Sequence, residues 1–346
     1  MQQNNLKAVA CFMVLIGAFA ASLGLGSSGF SLGDFYQLCV AKMLQMPIPA
    51  ELENADTIFF SIRIPRLLVA ALCGIALSAA GVLSQGLFRN ALASPSVLGT
   101  EAGASFSAAL TFYLGPTLLQ WFTLPLAAFF GAFITTSLLL VTSTFRRVYT
   151  MENLLLIGFA LNALFGALTS FVISLVLEDY QKFPAVIYWL LGGLNAKGWQ
   201  HVYVAFVPIV VGVLIAYRLC VQLNVLTLGE EVAQSLSVKI PRLKRQIIFV
   251  VALLVGAAVS VAGALSFVGL VVPHVTRLLF GAEHRRLLIF SCVNGASLLL
   301  LADLAARTLA SPQELQVGVI IALIGAPFFL WLLFRTQSYH WEDRVE

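Results

Sequence analysis

Apolar runs recur from residue 8 to residue 335, and no hydrophilic block between them is long enough to fold by itself. Inside lipid a backbone must satisfy its own hydrogen bonds, which only helices and closed barrels achieve. The runs have helical length: about 20 residues cross a bilayer as α-helix, with roughly 17 to 25 tolerated. Those near 7–27, 66–87, 96–114, 118–142, 153–177, 201–222, 246–268, 286–306 and 316–335 qualify. Only 10% of the residues are charged, against about 25% in soluble domains. The expectation is an all-α integral membrane chain forming one polytopic domain over residues 1–346. A shorter apolar piece, Gly269–Gly281, is interrupted by Pro273, His274 and Arg277; it crosses only if its ends are buried in protein. Counting it gives about ten transmembrane helices and puts both termini on one side.

The basic residues test that topology. With cytoplasmic termini, the outside keeps Lys42, Arg63, Arg66, Lys182, Lys197 and Arg307, and the other 14 of the 20 Lys and Arg residues (20 − 6) fall inside. The bias fits the positive-inside rule. Their scatter between apolar runs gives no basic face for nucleic acid. The five cysteines, Cys11, Cys39, Cys73, Cys220 and Cys292, form no CxxC pair, so they read as lone buried thiols. An A-x-A triplet at Ala18–Ala20 fits a signal-peptidase site, but apolar residues continue to Leu25, which favours a retained first helix.

An internal echo is visible. Gly74–Ser84 reads GIALSAAGVLS and Gly256–Ser266 reads GAAVSVAGALS. In the ten-span topology the two copies run in opposite directions, as an inverted repeat requires. The plainer alternative is that small residues let helices approach closely.

Several chemistries are missing. The chain has no GxxxxGK[ST] loop, no HExxH and no GxSxG, so neither Walker-type ATP binding nor these hydrolase arrangements is encoded. The four histidines lie far apart in sequence, and no metal site is expected. Glu101 and Asp303 come closest to mid-membrane acids, which are costly and usually functional. Glu101 follows Gly99-Thr100 and suits a polar cavity contact or the start of a helix. Asp303 lies four residues before Arg307, at ion-pair spacing.

One long interruption remains, GEEVAQSLSVKIPRLKR over residues 229–245. Thr227-x-x-Glu230 has the form of a capping box, and Glu230 and Glu231 suit a first helical turn. Val232, Ala233 and Leu236 then share one face, while Pro241 disfavours helix at Ile240. A helix this short is unstable alone and must lean on something. The plain alternative is a solvated loop. The basic residues Lys239, Arg242, Lys244 and Arg245 have the wrong sign for a helix start and are read first as topological.

From Arg63 the chain reads RIPRLLVAALCGIALSAAGVLSQGLFRNALASPSVLGTEAGAS, and the segment 229–245 is followed by AGALSFVGLVVPHVTRLLFGAEHRR, GASLLLLADLAAR and ELQVGVIIALIGAPFF. These segments, spread over about residues 60–335, closely resemble the iron-siderophore, haem and vitamin B12 permease family. The resemblance implies a type II ABC importer permease fold with an inverted repeat. It also implies a homo- or heterodimer with a second permease subunit, two cytoplasmic ATPase chains and an extracytoplasmic substrate-binding protein, in a bacterial cytoplasmic (inner) membrane. This chain would then be no enzyme and carry no cofactor, with ATP and magnesium on the partner ATPase.

By that resemblance the loop at about 223–245 couples to the ATPase through Leu228, Gly229, Glu230, Glu231, Val232, Ala233, Leu236, Ser237 and Val238. Arg63, Arg66 and Arg307 would receive acidic residues of the binding protein, the plainer reading being snorkelling at helix ends. Glu101 is the translocation-path candidate. The sequence departs from the family pattern at Ala91, Ser237 and Gln316, where proline, glycine and proline are usual. The implied cargo is a ferric siderophore, with haem, cobalamin or an oxyanion as alternatives. An ion-coupled secondary transporter is the reading from a different class. The segment Tyr188–Trp199 is expected to form a short external helix with interfacial aromatics at its ends.

Overall fold

The fold is taken from a computed structural model, which describes residues 2–26, 29–49, 52–115, 120–145 and 150–342. Arg146, Arg147 and Arg344, counted above on the inner side, lie outside the described residues. In chain order the helices are α1 Gln2–Gly24, α2 Leu32–Met43, α3 Glu53–Thr57, a π-helical turn Ile58–Arg63, and α4 Ile64–Leu87. A 3₁₀ turn at Pro95–Leu98 precedes α5 Thr100–Leu114, α6 Gln120–Phe145, α7 Met151–Val176, α8 Lys182–Leu190 and α9 Trp199–Thr227. The last five are α10 Glu230–Ser235, α11 Ile240–Ala262, α12 Val268–Phe280, α13 His284–Thr308 and α14 Val317–Glu342. Among the described residues, seven helices are long and apolar enough to cross a membrane; α5, α12 and the apolar part of α14 are shorter. Ala18–Ala20 lie within α1.

The echoed segments mark the two central helices. In α4 and α11 the most apolar stretch is 78% buried inside the protein, against 17% in α1 and 22% in α7. A helix surrounded by other helices must be slim, which explains the run of Gly, Ala and Ser. At Gly74 an added Cβ would strike the Gly295 carbonyl of α13, and at Gly81 it would strike the Gly269 carbonyl of α12. Backbone therefore meets backbone at both places.

α4 and α11 are antiparallel. Near the start of α4, Arg66 bonds Asn195, and two residues before Asn195 the Gly193 N–H donates to Ala262 at the end of α11. Past the other end of α4, Arg89 lies 3.9 Å from Glu230, which pairs with Lys244 near the start of α11. Each central helix is followed by chain without α-helix that turns back into the bundle, residues 88–99, which include the 3₁₀ turn, after α4 and 263–267 after α11. Each then enters a short helix through a left-handed residue, Gly99 at φ +81° and Phe267 at φ +67°. The echo is unequal in one respect: Gly74–Ser84 is wholly helical, whereas its counterpart leaves the helix at Gly263.

α12 has 13 residues, about 20 Å at 1.5 Å per residue, too short for a 30 Å hydrocarbon layer. It starts within the bundle, where Gln85 bonds Leu270 and Gly269 faces α4. Its burial in protein meets the condition set for this segment. Lys7 of α1 donates to Leu279, and α14 leaves the opposite end, where Gly318 bonds Gly192. Both termini thus point to the end that carries α10.

Three expectations change. The external helix is α8, and Leu191–Gly198 beyond it is irregular. Helix α11 begins at Ile240 with Pro241 in its first turn, where a missing N–H costs nothing. All five cysteines are free, but only Cys73 and Cys220 are buried.

Candidate functional site

Two polar clusters occupy opposite ends of the bundle. At one end α9 stops at Thr227, Gly229 turns the chain at φ +129°, and α10 follows. The capping box is absent. Thr227 donates its hydroxyl to Asn224 in its own helix, a local bond that competes with capping, and Gly229 occupies the N-cap without a side chain. Glu230 and Glu231 do fall in the first turn of α10. Of the face expected to lean on the bundle, only Ala233 is buried; Val232 is 42% exposed, Leu236 59% and, before the helix, Leu228 68%.

Glu230 fastens this segment. It accepts from Lys244 Nζ at 2.9 Å and lies 3.9 Å from Arg89. The Lys244 side chain is only 4% exposed. Part of the basic tail therefore serves the helix, a pairing across 14 residues that the sequence reading assigned to topology. Beyond α10, the Val238 N–H returns to the Ala233 carbonyl and Ser237 sits at φ +61°. That region costs an L-residue about 1–2 kcal/mol. Ser237→Gly is expected to raise stability by about 1 kcal/mol, read as a shift in denaturant midpoint of the purified chain. A groove of about 620 Å³ runs beside the loop, walled by Leu236, Val238, Lys239 and Arg242 and by α9.

At the opposite end three arginines meet. Arg66 reaches buried Asp303 through Nε at 2.9 Å and Nη2 at 2.8 Å, Glu314 at 3.0 Å and Asn195 at 3.3 Å. Arg307 reaches Asp303 at 3.1 Å and the carbonyls of Ser22 and Leu25. Arg63 donates to the Leu23 and Phe30 carbonyls and lies over the Phe59 ring. The local Asp303–Arg307 pair appears as expected; Arg66, Glu314 and Asn195 join it from far away in sequence. A cavity of about 180 Å³ opens onto Arg63, Arg66, Arg307 and Glu314. Both Arg63 and Arg66 are buried, so their guanidiniums brace α1, α4 and α13 rather than stand out from the surface.

Glu101 lies in the first turn of α5 after left-handed Gly99, where negative charge suits the helix N-terminus. It makes no hydrogen bond or ion pair among the described residues. No group of His, Cys, Asp and Glu able to hold a metal occurs among them either.

Known proteins resemble this chain in sequence and, in one solved case, in structure. The profile described as the FecCD transport family matches residues 14–335. The Fe(3+) dicitrate transport system permease protein FecC of Escherichia coli is 41% identical over 276 residues, 80% of this chain and 82% of its own. The cobalamin import system permease protein BtuC of Halobacterium salinarum is also 41% identical, over 298 residues covering 86% of this chain and 78% of its own. A solved inward-facing conformation of a metal-chelate type ABC transporter superposes with a TM-score of 0.82 at 30% identity, covering 94% of this chain and 98% of that one.

Proposed function

The chain belongs to the FecCD transport family, and from that premise we propose that it is the permease subunit of an ATP-driven importer whose cargo is a ferric siderophore or related iron chelate. Relatives equal in identity are named for ferric dicitrate and for cobalamin, so the preference for iron rests on the wider motif resemblance. Haem, cobalamin or an oxyanion are the competing cargoes.

The observation that carries the reading is the α10 segment. A six-residue helix that exposes Val232, flanked by exposed Leu228 and Leu236 and fixed through Glu230 to Lys244, is built to be pressed by another protein. In this proposal that protein is a cytoplasmic ATPase, the α10 end and both termini are cytoplasmic, and the three-arginine end faces the substrate-binding protein. Because the arginines are already bound internally, they shape the docking surface, and the half-exposed Glu314 beside Arg66 lies on it. Two permease subunits, identical or related, enclose the path, with Glu101 at its wall.

The test uses the assembled transporter in proteoliposomes. Iron-chelate uptake is expected to require the ATPase and to stop with vanadate, whereas an ion-coupled carrier would run without it and stop with ionophore. Glu231→Arg combined with Leu236→Asp is expected to abolish uptake and ATPase capture. Wild-type assembly and transport by that variant would remove the coupling assignment.

A further inference from the structure

A second cavity, of about 440 Å³, lies at the end remote from α10, beside but separate from the three-arginine cluster. Its wall includes Lys197, Asn195 and Gln316 with the aromatic side chains Phe112, Tyr188 and Trp189. Lys197 makes no hydrogen bond or ion pair among the described residues, although a half-buried ammonium costs free energy without a partner. Burial pulls its pKa below the ordinary lysine range. The acids of the adjoining arginine cluster, Asp303 and Glu314, both hold Arg66. Asn195 spends its carbonyl oxygen on Arg66, which leaves its NH₂ donors for the cavity. Gln316 supplies an amide, and its Oε1 lies against Gly193. The Trp189 indole N–H is enclosed, so this residue contributes ring surface.

Among the described residues, the polar and aromatic part of the wall is one cation, amide donors and aromatic surface, with no carboxylate. We propose that this cavity is a receiving site for anionic oxygens of the cargo, those of a carboxylate-bearing or other oxyanion-bearing metal chelate, with Lys197 as the cation that pairs with them. The site deepens the importer reading by giving its cargo a charge class, and it rests on that reading for the identity of the ligand as cargo. It separates anionic chelates from neutral macrocycles at the mouth of the path, before any helix moves. Gln316 and Asn195 orient the ligand by hydrogen bonds, and Tyr188, Trp189 and Phe112 take its apolar edges.

The test is lysine footprinting of the wild-type full chain in lipid nanodiscs with a membrane-impermeant acetylating reagent. Acetylation of Lys197 is followed by mass spectrometry, with Lys182 at the same end as internal standard. Saturating ferric citrate, an anionic carboxylate chelate, is expected to slow acetylation of Lys197 by about tenfold, the effect of 90% occupancy at a simple site, and to leave Lys182 unchanged. Cyanocobalamin, which has no net charge, is expected to leave both rates unchanged. Equal rates with and without ferric citrate, equal protection by cyanocobalamin, or a Lys197 that never reacts would each overturn the proposal. Vanadate-sensitive uptake by the assembled transporter is scored separately. Uptake without protection removes this site and keeps the importer; protection without ATP-dependent uptake does the reverse.

Discussion

Asp303→Ala is expected to destabilise the folded chain by about 3–5 kcal/mol, the usual cost of removing one partner from a buried ion pair. The carboxylate is fully buried and accepts from Arg66 and Arg307 at 2.8 to 3.1 Å. Its loss leaves two guanidiniums within reach of each other, with Glu314 and carbonyl oxygens as their remaining acceptors. Glu314→Gln removes a carboxylate that is 36% exposed, and its cost is expected to be about 1 kcal/mol or less. Equilibrium unfolding in mixed micelles compares the two. A smaller loss for Asp303→Ala than for Glu314→Gln would show that Asp303 is not the centre of the cluster.

The second large effect is expected at Gly81. A valine there directs its Cβ into the Gly269 carbonyl, a backbone atom on a helix that is itself packed in place. No side-chain rotation relieves this contact, so α4 and α12 must separate. The cost is expected to be about 3 kcal/mol or more, at the upper end for overpacking. Gly17→Val in α1 is the matched control, because nothing lies within 4 Å of its added Cβ. Its midpoint in the same unfolding experiment is expected to stay at the wild-type value. Equal midpoints for both variants would refute close backbone packing between α4 and α12.

What the sequence made legible depended on distance along the chain. Apolar runs are local, and each predicted run contains a helix, including the short segment that needed burial in protein, although the run at 246–268 leaves its helix at Gly263. Asp303 and Arg307 are one helical turn apart, so their pairing followed from spacing alone. Arg66 meets Asp303 across 237 positions and Glu314 across 248; no periodicity connects them, and the outer arginines therefore looked available. The α10 cap was misread for a different reason. Thr227 carries the right side chain, but its hydroxyl found a nearer acceptor in the helix it ends. The departure at Ser237 was visible as a residue type, and only the backbone angle showed why glycine is easier there. Lys197 was noted as a basic residue on the outer side; its lack of a counter-ion needed three dimensions.

The clasp of Glu230 on Lys244 has a mechanical consequence. A loop joined to its helices only through the backbone acts as a soft hinge and absorbs a push applied at its tip. Here Glu230 ties the tip to α11 through Lys244 and lies beside Arg89, just past the end of α4. A displacement of α10 is therefore expected to be felt first at Lys244 of α11, a buried partner, and only more loosely at Arg89, where the pair is half-exposed.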